Sequence, residues 1–281
     1  MWVPAGAPAH RPAAAIPAGS TVLGVWAHPD DEAFVAAGTM AAAAARGCRV
    51  VSVYASRGEQ GWQSTTERRP ADLGALRSGE LAVALRALGA DHPRFLDYPD
   101  GGLAAVPISD AVTRLHAVLD EVDPDVVLTF GPDGFTGHPD HVAVSGWVTS
   151  ALQMREPGAV ALMHSAVSAE WVRRFAPGLG GFGAFWPGYP VAAPAADLAW
   201  SWPLAASLLD RKLAALRAHH SQTAHLFAAL GEAFMRDMVA VEAFRDPWAG
   251  SGMAGHRVRE RGAAAALPLL AGMPRLCRAA T

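Results

Sequence analysis

One short stretch sets the architecture of this chain, Val22–Glu32, which reads VLGVWAHPDDE. Its apolar first half is followed abruptly by a histidine and three acids, a pattern typical of a buried strand that ends at a polar edge. Acids packed together at a strand end repel each other, and a divalent cation would neutralise them. Histidine and aspartate together are ligands suited to zinc. The stretch therefore predicts a metal site directly after the first strand.

A second histidine-rich cluster follows another apolar run. Residues Val126–Phe130 read VVLTF, and Gly137–His141 read GHPDH a few residues later. The tripeptide His-Pro-Asp thus occurs twice, each time close behind an apolar run. Together the two clusters favour a metal-dependent hydrolase over other classes of protein.

Strand-like and helix-like segments alternate along the first part of the chain. The predicted strands cover residues 21–27, 49–55, 94–97 and 125–130, and the predicted helices cover residues 31–46, 72–88, 109–122 and 139–154. This order predicts an α/β fold with a doubly wound, mostly parallel sheet and helices on both faces. In a sheet of strand order 3-2-1-4-5-6, strands one and four are neighbours, so both clusters are expected in one crevice.

The later part of the chain has a less regular pattern. Further strands are predicted near residues 159–164, 197–202 and 238–244, and further helices over residues 204–219 and 224–235. Residues 175–194 are rich in Gly, Pro and aromatic side chains and are interpreted as a long loop. Loops of this length often form lids or binding surfaces.

Composition limits the classes of protein that remain. The 281 residues are 51% hydrophobic with a formal net charge of −3, which favours one large domain and gives no basic stripe for a nucleic acid. Two cysteines are too few for a disulfide framework, so a cytoplasmic location is expected. No uncharged apolar stretch of about 18 residues occurs, so no membrane span is expected. The oligomeric state is left open.

Domain boundaries follow from local composition. Residues 1–19 are rich in Pro and Ala and are interpreted as a loose arm. Residues 20–248 are expected to form a single catalytic domain. Residues 249–281, biased to Gly, Ala and Arg, are interpreted as a low-complexity C-terminal tail.

The chemistry of a catalytic metal site assigns roles to the clustered residues. Such a site needs three protein ligands and one open position, and His28, Asp31 and His141 are the expected ligands. Asp30, left over beside the metal, is the expected general base for an attacking water. His138 lies one turn before His141 and can, as imidazolium, stabilise an oxyanion or protonate a leaving amine.

Outer contacts of the ligands can also be anticipated. Each metal-binding histidine should pass its other ring N–H to an acceptor, and Asp140 is one candidate for that second contact.

Simpler interpretations of these residues stay open. Asp30 or Asp31 can serve only as the N-cap of the following helix, with Glu32 favouring the helix dipole. Residues 219–222, which read HHSQ, can be a polar helix end at the surface. A two-His-one-carboxylate iron(II) oxygenase uses similar ligands, but it has no use for Asp30. A nucleotide-binding module is disfavoured because no G-x-G-x-x-G turn follows the first strand.

The two clusters resemble motifs of a known family, the LmbE-like or PIG-L superfamily of zinc-dependent N-deacetylases. Two specific motifs carry the resemblance, AHPDDE at residues 27–32 and HPDH at residues 138–141. Weaker features occur in the same order, and together the resemblance spans roughly residues 20–245. These weaker features are GEQG at 58–61, RSGE at 77–80 leading to LG at 88–89, DGGL at 100–103 and HHSQ at 219–222.

The resemblance implies a Rossmann-like fold and hydrolysis of an N-acyl group, commonly N-acetyl on an amino sugar or related small metabolite. It implies a Zn²⁺ cofactor, with Fe²⁺ as a credible occupant under reducing conditions, and it implies the same ligand, base and His138 roles as above. It also suggests that Arg77 and Asp100 face the substrate. An amidase acting on a thiol-sugar conjugate is the alternative within the class.

Overall fold

The computed structural model describes residues 16–63 and 68–249. The strands of this part of the chain are β1 (Thr21–Trp26), β2 (Arg49–Tyr54), β3 (Arg94–Phe95), β4 (Val126–Phe130), β5 (Ala161–Ser168), β6 (Ala192–Ala193), β7 (Trp200–Pro203) and β8 (Val241–Arg245). The helices are α1 (Asp31–Val35), α2 (Ala37–Ala45), α3 (Leu73–Leu88), α4 (Ile108–Val122), α5 (Pro139–Gln153), α6 (Ala169–Leu179), α7 (Ala206–Ala218) and α8 (His220–Met238). Three short 3-10 turns follow β3, α6 and β6.

The sheet confirms the predicted α/β class and the predicted order of its first five strands. Its order is β3-β2-β1-β4-β5-β8-β7, with β6 paired to the end of β5. Strands β1 to β5 pair in parallel, whereas β8 pairs antiparallel with both β5 and β7. The sheet is therefore mixed but mostly parallel, with helices around it.

The two cluster-bearing strands lie side by side at the centre of the sheet. Strand β1 pairs with β4 from Val22↔Val126 to Gly24↔Leu128, and every residue of both strands is buried. Continuous apolar runs of this kind are expected where helices cover both faces of a parallel sheet. Because parallel strands end at the same edge, the residues after β1 and β4 meet there.

The predicted helix over residues 31–46 is wrong in one respect, because it is two helices. The chain breaks at Ala36, whose φ is −138°, between α1 and α2. The new helix start leaves unpaired N–H groups, and the Glu242 carboxylate accepts hydrogen bonds from the N–H groups of Gly38 and Thr39, both at 2.7 Å. A distant strand therefore supplies the cap, which local sequence cannot reveal.

The later half departs further from its prediction. Residues 169–179 form α6, although the loop was expected to begin at residue 175. Ser168 caps this helix by accepting a hydrogen bond from the N–H of Trp171 at 3.1 Å, and Trp171, Phe175 and Leu179 bury one face at a spacing of four. Pro177 and Gly178 concealed that periodicity. Strand β5 also continues to Ser168, four residues beyond its predicted end.

The expected arm and tail lie almost entirely outside the described residues, and the domain boundaries at 20 and 248 stay predictions. Within residues 16–63 and 68–249, helices long and apolar enough to cross a bilayer are absent. The cytoplasmic location also stays a prediction.

Candidate metal centre and active site

The ends of β1 and β4 bring three potential ligands together. His28 and Asp31 follow β1, and His141 lies in the first turn of α5 behind β4. One donor atom from each of them lies within 4.8 Å of the others, and all three side chains are buried. The structure thus assembles the three residues expected as ligands, from segments 110 residues apart in the chain.

The spacing of the donor atoms fits a divalent ion. His28 Nδ1 lies 3.3 Å from His141 Nε2, and His141 Nε2 lies 3.2 Å from the Asp31 carboxylate. Nitrogen and oxygen ligands about 2.0–2.2 Å from a tetrahedral ion are separated by roughly 3.3–3.6 Å. The three side chains are therefore close to the mutual positions that a bound zinc ion would require.

The second ring nitrogen of His28 faces two carboxylates. His28 Nε2 lies 3.0 Å from Asp100 Oδ1 and 3.2 Å from Asp140 Oδ2. Burial opposes protonation, but these two contacts and the charge of Asp31 raise the pKa of His28 to about 10. The surroundings therefore favour positive charge at this point, as expected of a cation site, and a carboxylate behind a histidine ligand orients the ring.

Asp140 is engaged on both oxygens. Besides its contact with His28, it accepts hydrogen bonds from the N–H groups of Gly101 at 2.8 Å and Leu103 at 3.0 Å. These bonds join the loop after β3 to the start of α5. Asp140 therefore fixes the orientation of His28 rather than offering free oxygens to an ion.

The outer contacts of His141 are of another kind. Its Nδ1 lies 3.0 Å from the Gly134 carbonyl oxygen and 3.1 Å from Thr136 Oγ1, and its ring stacks on Phe130 with centroids 4.2 Å apart. Nδ1 is thus held as a donor by two oxygens, which leaves Nε2 as the lone-pair nitrogen facing Asp31. Sequence reasoning had not singled out Thr136.

Asp31 is held in its charged form. Its Oδ2 accepts a hydrogen bond from the backbone N–H of His28 at 2.8 Å. Burial opposes ionisation, but the charges and hydrogen bonds of His141 and His28 hold the pKa of Asp31 well below its usual range. An ionised carboxylate is the form that binds a metal.

Asp30 occupies a strained backbone position. Its φ of 109° lies in the left-handed region, which non-glycine residues rarely adopt. Its side chain makes no cap hydrogen bond to α1, so the N-cap interpretation of Asp30 is wrong. Instead its Oδ2 lies 3.2 Å from the Arg77 guanidinium. Burial raises the pKa of Asp30 to about 6 against the opposing charge of Arg77, a value near that of an effective general base.

His138 lies beside the two ligand histidines, with ring centroids 5.2 Å from His28 and 5.1 Å from His141. Its Nδ1 accepts a hydrogen bond from the N–H of Asp140 at 3.2 Å, so the proton of the neutral ring is on Nε2. Burial and the charges of His141 and His28 lower the pKa of His138. A lowered pKa favours the neutral ring, in which Nε2–H is a donor, and the imidazolium role expected from sequence stays a prediction.

Arg77 and Asp100 border the cavity, but their polar atoms are largely engaged by the protein. The Arg77 guanidinium donates to the carbonyl oxygens of Gly58 and Pro29 and to Asp30, and Arg77 is only 3% exposed. Asp100 contacts His28 and accepts a hydrogen bond from the N–H of Gln60 at 2.7 Å. Arg77 therefore holds the Asp30 carboxylate and Asp100 holds the His28 ring, and the direct contact with substrate expected for them stays a prediction.

A buried pair behind Asp30 was not foreseen. His219 Nε2 lies 2.7 Å from Glu32 Oε1 with both side chains fully buried, and Glu32 Oε2 accepts a hydrogen bond from the N–H of Asp30 at 3.2 Å. Gln222, three residues along the chain in α8, is buried at the cavity wall. The interpretation of residues 219–222 as a surface helix end is therefore wrong for His219 and Gln222, whereas His220 is exposed at the start of α8. The HHSQ motif was the signal available in the sequence.

A cavity of about 430 Å³ opens over these residues, within the usual range for small-molecule sites. The loops after β2 and β3 supply a polar wall, formed by Gln60, Gly61, Gln63, Asp100 and Gly101. The apolar part of the lining comes mainly from β5, α6, α8 and β8. His28, Asp31 and His141 line the same cavity.

Comparison with known proteins agrees with this geometry. The profile of the PIG-L family, described as GlcNAc-PI de-N-acetylase, matches residues 23–152. A protein of Mycolicibacterium vanbaalenii named 1D-myo-inositol 2-acetamido-2-deoxy-alpha-D-glucopyranoside deacetylase is 33% identical over 237 residues, which is 72% of this chain and 80% of that protein. The chain belongs to the PIG-L family.

Other PIG-L proteins are matched over shorter spans. A relative of the same name from Rhodococcus erythropolis is 35% identical over 154 residues, 47% of this chain. The chain spans only 50–65% of the length of this and six similar relatives. Among solved PIG-L-like structures, a conserved protein of Thermus thermophilus matches with a TM-score of 0.57 and 26% identity, covering 81% of this chain and 94% of that one.

Proposed function

We propose that this protein is a metal-dependent hydrolase that removes an N-acyl group, N-acetyl in the simplest case, from an amino sugar or a related small metabolite. The observation that carries the proposal is the group of three donor atoms within 4.8 Å at the ends of β1 and β4. The name of the relative from M. vanbaalenii, a deacetylase of an acetamido sugar, supports the same chemistry.

His28, Asp31 and His141 would hold the ion, with Zn²⁺ as the proposed occupant and Fe²⁺ as a second one under reducing conditions. When bound, the ion supplies Lewis-acid polarisation of the amide carbonyl and lowers the pKa of water. The two outer contacts of His28, Asp100 and Asp140, keep its ring in the binding orientation.

Asp30 would act as the general base. It accepts a proton from the water that attacks the amide carbonyl carbon, and it later delivers that proton to the nitrogen as the C–N bond breaks. The products are then a carboxylate and a free amine. Its pKa of about 6 leaves it ionised at neutral pH, and Arg77 holds its carboxylate in place.

His138 would stabilise the transition state as a neutral donor. Its Nε2–H is oriented by the Asp140 N–H on the other ring nitrogen, and it donates to the carbonyl oxygen as negative charge develops there. Removal of a preorganised donor of this kind typically lowers the rate by about 100- to 1000-fold.

The test is a direct measurement of products. Full-length protein loaded with zinc is incubated with a panel of N-acetylglucosamine derivatives, and acetate and free amine are quantified together. We expect equal amounts of both, and a rate at least about 100-fold lower from an Asp30→Asn variant that carries the same metal. If no amide is cleaved by fully metallated protein, the hydrolase proposal is wrong.

A further inference from the structure

The two sides of the cavity differ in chemistry. One side is the polar wall defined above. The other is an apolar chamber formed by Val35, Val167, Trp171, Phe182, Leu226 and Val239. His28, Asp31 and His141 line the same cavity, so a substrate held at the metal centre has both polar and apolar lining residues within one cavity.

The carboxylate that borders the apolar chamber is already neutralised. Glu242 lies at the cavity surface, and it accepts hydrogen bonds from the N–H groups of Gly38 and Thr39, the Thr39 hydroxyl and the Lys212 ammonium, all at 2.6–2.7 Å. With these donors in place, Glu242 needs no polar group from a ligand.

Two other polar side chains border the apolar chamber, Trp171 and His225. The indole N–H of Trp171 donates to the Met238 carbonyl oxygen at 2.8 Å. His225 contacts the Phe182 ring, with centroids 5.8 Å apart, and burial lowers its pKa, which favours the uncharged ring. An apolar ligand group that enters the chamber therefore leaves no buried donor or acceptor of Trp171 or Glu242 without a hydrogen-bond partner.

We propose that the apolar chamber receives the hydrocarbon part of the acyl group, so that the enzyme prefers N-acyl amino sugars whose acyl chain is longer than acetyl. This inference rests on the proposed function. The sugar hydroxyls need polar partners and face the polar wall. An amide placed at the metal centre with that orientation directs its acyl side toward the apolar chamber. Acetyl would place a single methyl group there.

The size of the preference follows from hydrophobic burial. Each buried methylene contributes about 0.8 kcal/mol, which is roughly fourfold in kcat/KM. A butyryl amide should therefore exceed an acetyl amide by about tenfold or more, and the gain should continue until the chamber is filled.

The experiment measures kcat/KM for N-acetyl-, N-butyryl-, N-hexanoyl- and N-octanoylglucosamine with the zinc-loaded full chain. Two variants narrow the chamber, Ala184→Phe in the loop after α6 and Ala166→Leu on β5, both at the cavity surface. Each should reduce the ratio of octanoyl to acetyl turnover at least about tenfold. The exposed Ala196→Phe is the matched control and should leave that ratio unchanged. Calorimetric binding of octanoate against acetate gives a readout without turnover.

The outcomes separate the two proposals. If acetyl is cleaved and longer chains are cleaved more slowly, the inference is overturned while the proposed function stands. A preference for octyl over methyl N-acetylglucosaminide, with no gain along the acyl series, would place an aglycone in the chamber and also overturn it. If no amide is cleaved, yet octanoate binds more tightly than acetate and Ala184→Phe abolishes that difference, the chamber assignment stands and the hydrolase proposal fails.

Discussion

Residues 21–153 and residues 161–245 both line one cavity, but they differ in topology and in the residues they contribute. The first region is a run of parallel strands and helices, and it contributes the three donor residues, Asp30 and His138. The second region adds two antiparallel strands and three helices, and it contributes most of the apolar side. The family profile matches only residues 23–152. We therefore propose that the first region carries the chemistry and that the second region selects the substrate.

The most severe loss of function is expected when two of the three donor residues are removed. A His28→Ala, His141→Ala double variant should lose bound metal, from about one equivalent per chain in the parent, and its amide hydrolysis should fall to background. Elemental analysis and product release measure the two effects. His116→Ala on α4, which does not border the cavity, is the control and should retain both. Full metal occupancy in the double variant would refute the ligand assignment.

Substitutions of the two adjacent aspartates should have different effects on rate and metal content. Asp30→Asn should reduce kcat/KM by about 100- to 10,000-fold while metal content is retained, because Asp30 contacts Arg77 rather than the donor histidines. Asp31→Asn should lose metal as well, since its carboxylate lies 3.2 Å from His141 Nε2. Near-normal rates for Asp30→Asn, together with normal metal content in Asp31→Asn, would show that both roles are misassigned.

His138 should act only in the transition state. His138→Ala should lower kcat and kcat/KM together by about 100- to 1000-fold with unchanged metal content, and His138→Gln should recover part of the loss. Because burial and the charges of His141 and His28 lower the pKa of His138, we do not expect this group to set an alkaline limb of the pH profile. The limb should therefore persist in His138→Ala. Its disappearance would restore the imidazolium role.

The smallest change in kinetics is expected for a substitution in the second region, Trp186→Ala. Trp186 is 49% exposed, and its ring centroid is 6.1 Å from that of His138, which lines the cavity. Trp186→Ala should raise KM by about 2- to 10-fold, the usual worth of an aromatic contact, with kcat and metal content nearly unchanged. A large fall in kcat would mean that this region takes part in the chemistry after all.

The same division explains what the sequence could predict. Strand ends in β1 and β4 are marked by local motifs, and parallel topology alone brings them together, so the metal centre was foreseen. The cap of α2 by Glu242 and the burial of His219 against Glu32 depend on side chains about 190–200 residues apart, which no local pattern encodes. The apolar face of α6 was concealed by Pro177 and Gly178. The contact between His138 Nδ1 and the Asp140 N–H, which orients the ring, could not be predicted from the motif alone.

One carboxylate also ties the two regions into a single cooperative unit. Glu242 on β8 holds the first N–H groups of α2 and the Lys212 ammonium of α7 at once, so the start of α2 cannot be released while β8 remains in place. The amide protons of Gly38 and Thr39 should therefore exchange with deuterium no faster than the antiparallel part of the sheet opens. Faster exchange there than in β8 would mean that the catalytic region opens independently of the selecting one.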